Sequence, residues 1–68
     1  MRLYRYNLRD GTAPYRSFAL LARDMRRMEA TEGDRLDLFS DAGRIMIAWD
    51  YRMDYGAGYC RWIRTPVA

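Results

Sequence analysis

The sequence predicts an α+β domain in which one amphipathic helix packs on a small antiparallel sheet of three to five strands, in the order β(β)αβββ. One segment repeats apolar residues at helical spacing, and several short runs alternate apolar and polar residues as strands do. Turn signals containing glycine separate these runs. The whole chain, residues 1–68, is expected to form one domain, because it contains no linker, repeat or low-complexity tract.

The first predicted strand covers residues 3–8, where aromatic and polar side chains alternate. Asp10 and Gly11 follow, and both tolerate the positive φ that a tight hairpin turn requires. Whether the segment around Pro14 pairs with the first strand as a regular return strand is left undecided. Proline lacks the N–H group that a strand ladder needs, and within sheets it is confined to edges.

The next segment is the predicted helix. Ser17 is a suitable N-cap, because its hydroxyl can accept a hydrogen bond from the free amides of the first turn. Gly33 is predicted to end the segment, because glycine readily adopts the left-handed conformation that follows helices. Between them, apolar residues recur at the spacing of one buried helix face. This stripe comprises Phe18, Leu21, Ala22, Met25 and Met28.

Three further strands are predicted after the helix, at residues 35–40, 44–50 and 59–64. Residues 41–43 make a short hairpin connection, and residues 53–58 form a loop whose glycines allow it to adapt. The apolar stripe of the helix is expected to lie against Leu36, Leu38, Ile45, Ile47 and Trp49.

The sheet face away from the helix is the predicted binding surface, together with the loop at 53–58. A single helix covers only one face of a sheet, so the other face meets water or a partner. The side chains expected there are aromatic residues, methionine and arginine, which are enriched at protein interfaces. The predicted partner-binding residues are Arg5, Phe39, Arg44, Met46, Tyr55, Tyr59, Arg61 and Arg64.

Composition limits where the protein is expected to work. Its single cysteine, Cys60, allows no internal disulfide, which fits a reducing compartment such as the cytoplasm. No signal peptide is evident, and no apolar run approaches the ~20 residues that span a bilayer. We therefore expect a cytoplasmic protein without a membrane partner.

The residue types of most catalytic sites are missing. The chain has no histidine and no lysine, which excludes imidazole triads, imidazole metal sites and Schiff-base lysines. Cys60 is interpreted as a packing residue. Two sets of carboxylates could hold a cation or exchange a proton, but turn acids and arginine partners are the favoured interpretation. The sets are Asp34, Asp37 and Asp41, and Asp50 and Asp54. We expect no enzyme, no cofactor and no metal.

Arginines alternate with aromatic residues in residues 2–6 and 59–64. Such surfaces can stack bases and neutralise phosphates, but tyrosine, tryptophan and arginine are also the residues of protein hot spots. A third interpretation places the rings in the core with solvated arginines beside them. The net charge of +3 is weaker than the basic stripe of a dedicated nucleic-acid-binding protein.

In its small size and lack of catalytic residues, the chain resembles the very small proteins with which phages and mobile elements block host enzymes, anti-CRISPR proteins among them. This resemblance implies an inhibitor or modulator that binds a protein or nucleoprotein. The alternative is a nucleic-acid-binding module in which Arg5, Arg44, Arg61 and Arg64 contact phosphates. A homodimer is also considered. A chain of 68 residues hides only ~60% of its unfolded surface on folding, and a dimer interface would bury more.

Overall fold

The computed structural model describes residues 1–7 and 18–67, with the backbone alone at Phe18. Its elements are strand β1 (Leu3–Asn7), helix α1 (Phe18–Arg27), strand β2 (Arg35–Phe39), strand β3 (Ile45–Asp54) and strand β4 (Tyr59–Thr65). The predicted turn at Asp10 and Gly11, the return strand at Pro14 and the Ser17 cap lie outside the described residues. Across those two described ranges, no helix is long and apolar enough to cross a membrane.

The four strands form one sheet in the order β1-β2-β3-β4. Strands β2, β3 and β4 are antiparallel neighbours, but β1 pairs with β2 in parallel, from Leu3 opposite Arg35 to Asn7 opposite Phe39. The sheet is therefore mixed, and the prediction of a wholly antiparallel sheet is wrong. Helix α1 is the physical reason, because a helical crossover between neighbouring strands lets both strands run in the same direction.

Two element boundaries differ from the predicted ones by more than one residue. Helix α1 ends at Arg27 rather than at Gly33, which instead occupies the turn before β2 with a φ of 96°. Strand β3 runs to Asp54 rather than Asp50, because residues 51–54 pair with β4. The predicted loop is thereby reduced to a short turn.

The hydrophobic core lies on one side of the sheet, here called the Leu36 face. Leu21 of α1 is 2% exposed and forms a cluster with Leu36 and Leu38 of β2. The partly buried residues packed against this cluster are Tyr4, Tyr6, Met25, Met28, Ile47, Trp49 and Trp62. Rings from both edge strands, β1 and β4, therefore belong to the core.

Asp34 fastens the start of the chain to the loop before β2. Its buried carboxylate accepts hydrogen bonds from the backbone amides of Arg2 at 2.7 Å and Thr31 at 3.0 Å. The Thr31 amide, followed by the Arg2 amide and the Arg2 charge, lowers the pKa of Asp34 against the opposing effect of burial. Asp34 therefore satisfies backbone donors that would otherwise lack a partner.

Candidate partner-binding surface

The strand register decides which predicted binding residues share a face. Alternate residues of a strand lie on one face, and directly paired residues lie side by side. Asp37 pairs with Arg5 on one side and Ala48 on the other, and Ala48 pairs with Thr65. These positions define the side opposite Leu36, here called the Asp37 face. By alternation, this face also carries Phe39, Tyr59 and Arg61, whereas Met46 lies at a break in the register where strict alternation does not apply.

The remaining predicted residues lie elsewhere. Arg44 is exposed just before β3, and Tyr55 is 92% exposed in the turn between β3 and β4. Arg64 pairs with Trp49, so the register assigns it to the Leu36 face. The predicted residues therefore do not form one continuous patch.

The middle of the Asp37 face is buried. Asp37 is 3% exposed and Ala48 is fully buried. The Nε of Arg35 donates to the Asp37 carboxylate at 2.9 Å, and this hydrogen bond with its ion pair raises the pKa of Arg35. The arginine provides the partner that a buried carboxylate requires. Exposed side chains are found around this buried centre, at Arg5 beside Asp37 and toward the two ends of the face.

Met46 is exposed because of a bulge near one end. Leu38 pairs with Ile47 while Phe39 pairs with Ile45, so the register skips Met46. A bulge redirects side chains and disrupts the ladder locally. The Met46 side chain is 53% exposed and is available for apolar contact.

Arg5 and Phe39 contact each other at the same end of the sheet. The Arg5 guanidinium lies over the Phe39 ring, 4.8 Å from the ring centroid. This is the distance range of a cation–π interaction. Both residues line a groove of about 380 Å³. A phosphate that bound Arg5 would have to compete with the ring.

The turn after β3 holds its backbone through Asp54. One carboxylate oxygen accepts from the amides of Gly56 at 3.0 Å and Ala57 at 3.2 Å, and the other accepts from the Nε of Arg61 at 2.7 Å. The Ala57 amide, followed by Arg61 and the Gly56 amide, lowers the pKa of Asp54 against the opposing effect of burial. The turn is therefore anchored, which differs from the adaptable loop that its glycines predict.

Two tyrosines are displayed at this anchored turn. Tyr55 is 92% exposed within it, and Tyr59 is 60% exposed where β4 begins. Arg61 lies on the same face as Tyr59 and is held by Asp54. The turn thus brings two rings and a guanidinium together at one end of the sheet.

The carboxylate sets considered from the sequence have other partners. Asp34 binds backbone amides, Asp37 binds Arg35, and Asp54 binds the turn and Arg61. In the part of the chain that the structure describes, no three acidic or cysteine side chains are grouped to hold a metal ion.

No family model, curated protein or solved structure matches this chain.

A groove of about 560 Å³ between α1 and β4 was missed by the sequence analysis. We call it the α1–β4 groove. Trp62 forms one wall, and its ring meets Tyr51 edge-on at 5.2 Å and Tyr4 at 5.9 Å. The period-2 pattern of β4 could have placed Cys60 and Trp62 on one face. Which face that is depends on the β3–β4 register, which a single sequence does not specify. The lining residues are Ala22, Met25, Arg26, Met28, Tyr51, Cys60, Arg61 and Trp62.

Proposed function

We propose that this is a small, non-catalytic protein that binds a protein or nucleoprotein partner and inhibits or modulates it. The observation that supports this most is Tyr55, which is 92% exposed on a turn that the Asp54 carboxylate anchors. A pre-organised turn loses little conformational entropy on binding. Tyrosine also supplies a large contact area, and it is enriched at the centres of interfaces.

Tyr59 and Arg61 extend the proposed contact onto the Asp37 face. Tyr59 is 60% exposed, and the Arg61 guanidinium is oriented by Asp54. Because truncation of such central residues costs most, we assign the core of the interface to these residues and Tyr55. The proposed peripheral contacts are Arg5, Phe39, Arg44 and Met46, whereas Arg64, which was also predicted to bind the partner, lies on the Leu36 face and is left outside this interface.

The apolar stripe of α1 has a scaffolding role in this proposal. Its Leu21 joins the cluster of Leu36 and Leu38, so we propose that the helix packs on the Leu36 face and leaves partner binding to the other side. The cytoplasm is the proposed location. A phage-type inhibitor of a host enzyme would fit such a protein, although that origin is an extension of the proposal.

A protein partner is favoured over a nucleic acid by the pairing of charges. Of the four arginines expected to contact phosphates, Arg61 is bound to Asp54 at 2.7 Å and Arg5 lies 4.8 Å from the centroid of the Phe39 ring. Phosphate binding relies on concentrated basic groups whose charge is not already offset. Salt dependence tests the alternative, because each neutralised phosphate adds a slope of about −0.9 to log K against log salt. A steep slope would support the nucleic-acid module.

The test begins with capture of the partner on immobilised protein, followed by titration of variants by calorimetry. Tyr55→Ala is expected to weaken binding by ~1–3 kcal/mol without changing the melting temperature, because the ring is exposed. Leu20→Ala is the matched control, since Leu20 is an apolar side chain of α1 that is 40% exposed.

The Leu20→Ala control shows whether the partner binds at the turn that carries Tyr55 or at helix α1. If Leu20→Ala weakens binding and Tyr55→Ala does not, the partner contacts the helix and the proposal is wrong. Sedimentation of the free protein separates partner binding from self-association. A dimer that dissociates on Tyr55→Ala would reassign the surface to a second copy of this chain.

A further inference from the structure

Strand β4 is an edge strand among the described residues, with β3 as its neighbour on one side. Its residues, Tyr59–Thr65, follow an uninterrupted register against β3, from Asp54 opposite Tyr59 to Ala48 opposite Thr65. The strand contains neither a proline nor a bulge, so of the devices within a strand that protect edges it has only its charged side chains, Arg61 and Arg64. Its outward N–H and C=O groups can therefore pair with another extended chain.

The α1–β4 groove runs along the Leu36 side of the same strand. Two methionines and two rings contribute to its lining, which suits an apolar side chain because methionine adapts to different shapes. The Nε1 of Trp62 and the hydroxyl of Tyr4 are buried and have no hydrogen-bond partner among the residues that the structure describes. Buried polar atoms without a partner are uncommon in native proteins. An acceptor on a ligand would reach the indole N–H only after the Trp62 side chain shifts, because the atom is buried.

The rim of the α1–β4 groove is basic. Arg26 and Arg61 line it, and the described lining includes no acidic residue; because Asp54 binds the Arg61 guanidinium at 2.7 Å, Arg26 is the arginine that supplies unpaired charge there. Arg64 is exposed on the same strand. A second copy of this chain paired antiparallel through β4 with Arg61 opposite Arg64 would place like charges side by side, as the β3–β4 ladder already does at Arg52 and Arg61, and such pairs are destabilising. A segment that carries carboxylates is complementary instead.

We propose that an extended segment of a partner protein, both acidic and apolar, adds to β4 as a further strand. Main-chain hydrogen bonds to the edge supply affinity, and side chains that alternate along the segment supply specificity. On the Leu36 side, an apolar side chain enters the groove and a neighbouring carboxylate meets Arg26. This surface is separate from Tyr55, and the inference goes beyond the proposed function.

The probe is a blocked eight-residue peptide in which threonine alternates with glutamate and leucine, so that glutamate and leucine share one face. NMR of the intact chain follows the indole N–H of Trp62 and the backbone amides of β4. Saturable shifts at both are expected. The same peptide with lysine in place of glutamate is expected to bind at least about tenfold more weakly, because like charges across an interface are strongly unfavourable.

Two protein variants test the basic rim. Arg26→Glu is expected to reduce affinity for the acidic peptide by about tenfold, for the same reason. Arg23→Glu is the control, because Arg23 pairs with Asp24 at 3.7 Å and does not line the groove. Tyr55→Ala should leave peptide affinity unchanged, because Tyr55 does not line the groove. The peptide experiment can therefore fail while the proposed function of Tyr55 stands, and the reverse is also possible.

Strand addition itself is tested on the peptide, which leaves the protein fold untouched. Two peptides carry N-methyl groups on one or the other set of alternate amides, and the set that faces β4 should lose binding. The inference is overturned if both methylated peptides bind as well as the parent, or if the lysine peptide binds as tightly as the acidic one. Absence of saturable shifts at millimolar peptide overturns it as well.

Discussion

Asp34 must be ionised to accept the amide hydrogen bonds of Arg2 and Thr31. Its pKa is lowered in the folded protein, chiefly by the Thr31 amide. When the folded pKa lies below the unfolded value, the stabilisation is complete above the ordinary pKa and is lost as the pH falls through the folded one. We therefore expect a constant melting temperature down to about pH 5 and a decline below about pH 4, where unfolded aspartates take up protons.

Asp34→Asn isolates this effect in thermal melts recorded across pH. The amide cannot offer two charged acceptors, so the variant should melt lower at pH 7 and show a flatter acid decline. Some decline should remain, because the pKa of Asp54 is also lowered. Glu32→Gln, at an exposed neighbouring position, should match the wild type. An acid decline of Asp34→Asn as steep as that of the wild type would contradict this role.

Asp54 is predicted to act as a positioning residue for Tyr55. Asp54→Ala removes the carboxylate that binds the amides of Gly56 and Ala57, so both amides should exchange with solvent faster. Partner affinity should fall although Tyr55 is unchanged, because the loosened turn must be ordered on binding. Unchanged exchange would show that the turn is held by the backbone bonds to the Asp54 carbonyl, from Ala57 at 3.1 Å and Gly58 at 2.7 Å.

These two roles could not be predicted from the sequence. Asp34 and Asp54 are visible as turn acids, but aspartates bind local amides only when the backbone turns at a suitable angle. The exposed aromatic residues were easier to predict, because the alternation of β4 separates Tyr59 and Arg61 from Trp62. Residue type and the alternation along the strand therefore indicated the candidate binding residues, and the geometry of the turn determined which of them are exposed.

At the scale of elements, helix α1 contributes the buried side chain of Leu21 to the core. Leu21→Ala is expected to lower the free energy of unfolding by ~2–5 kcal/mol, through lost apolar burial and the cavity left behind. Leu20→Ala removes a neighbouring leucine that is 40% exposed and should cost about 1 kcal/mol or less. Urea denaturation of the three proteins measures both. Equal stability of Leu21→Ala and the wild type would show that α1 does not support the core.

The elements themselves were largely predictable, because periodicity is a local signal. The helix and all four described strands lie where the alternation or the helical spacing places them. Strand pairing was not predictable in the same way. The partner of β1 depends on the path of the chain through α1, and the extension of β3 depends on its contact with β4. Ala22, predicted within the buried stripe, is exposed near the α1–β4 groove.

At the scale of the whole molecule, the arrangement of charge argues against self-association through β4. The strand carries Arg61 and Arg64 and no acidic residue. We expect the melting temperature to be independent of protein concentration, because only an associating protein gains stability by mass action. Melts over a hundredfold range of concentration measure this. A melting temperature that rises with concentration would favour the homodimer.

The parallel pairing of β1 has a consequence for the order of folding. Strands β2, β3 and β4 meet across short connections, whereas Arg2 and Asp34 are separated by 32 positions. Closing a longer loop costs more entropy, and contacts between distant positions slow folding. Substitutions at Tyr4 and Tyr6 should therefore give φ-values near zero, and those in the β3–β4 hairpin higher ones. Strand β1 is then the last part of the molecule to fold and the first to unfold.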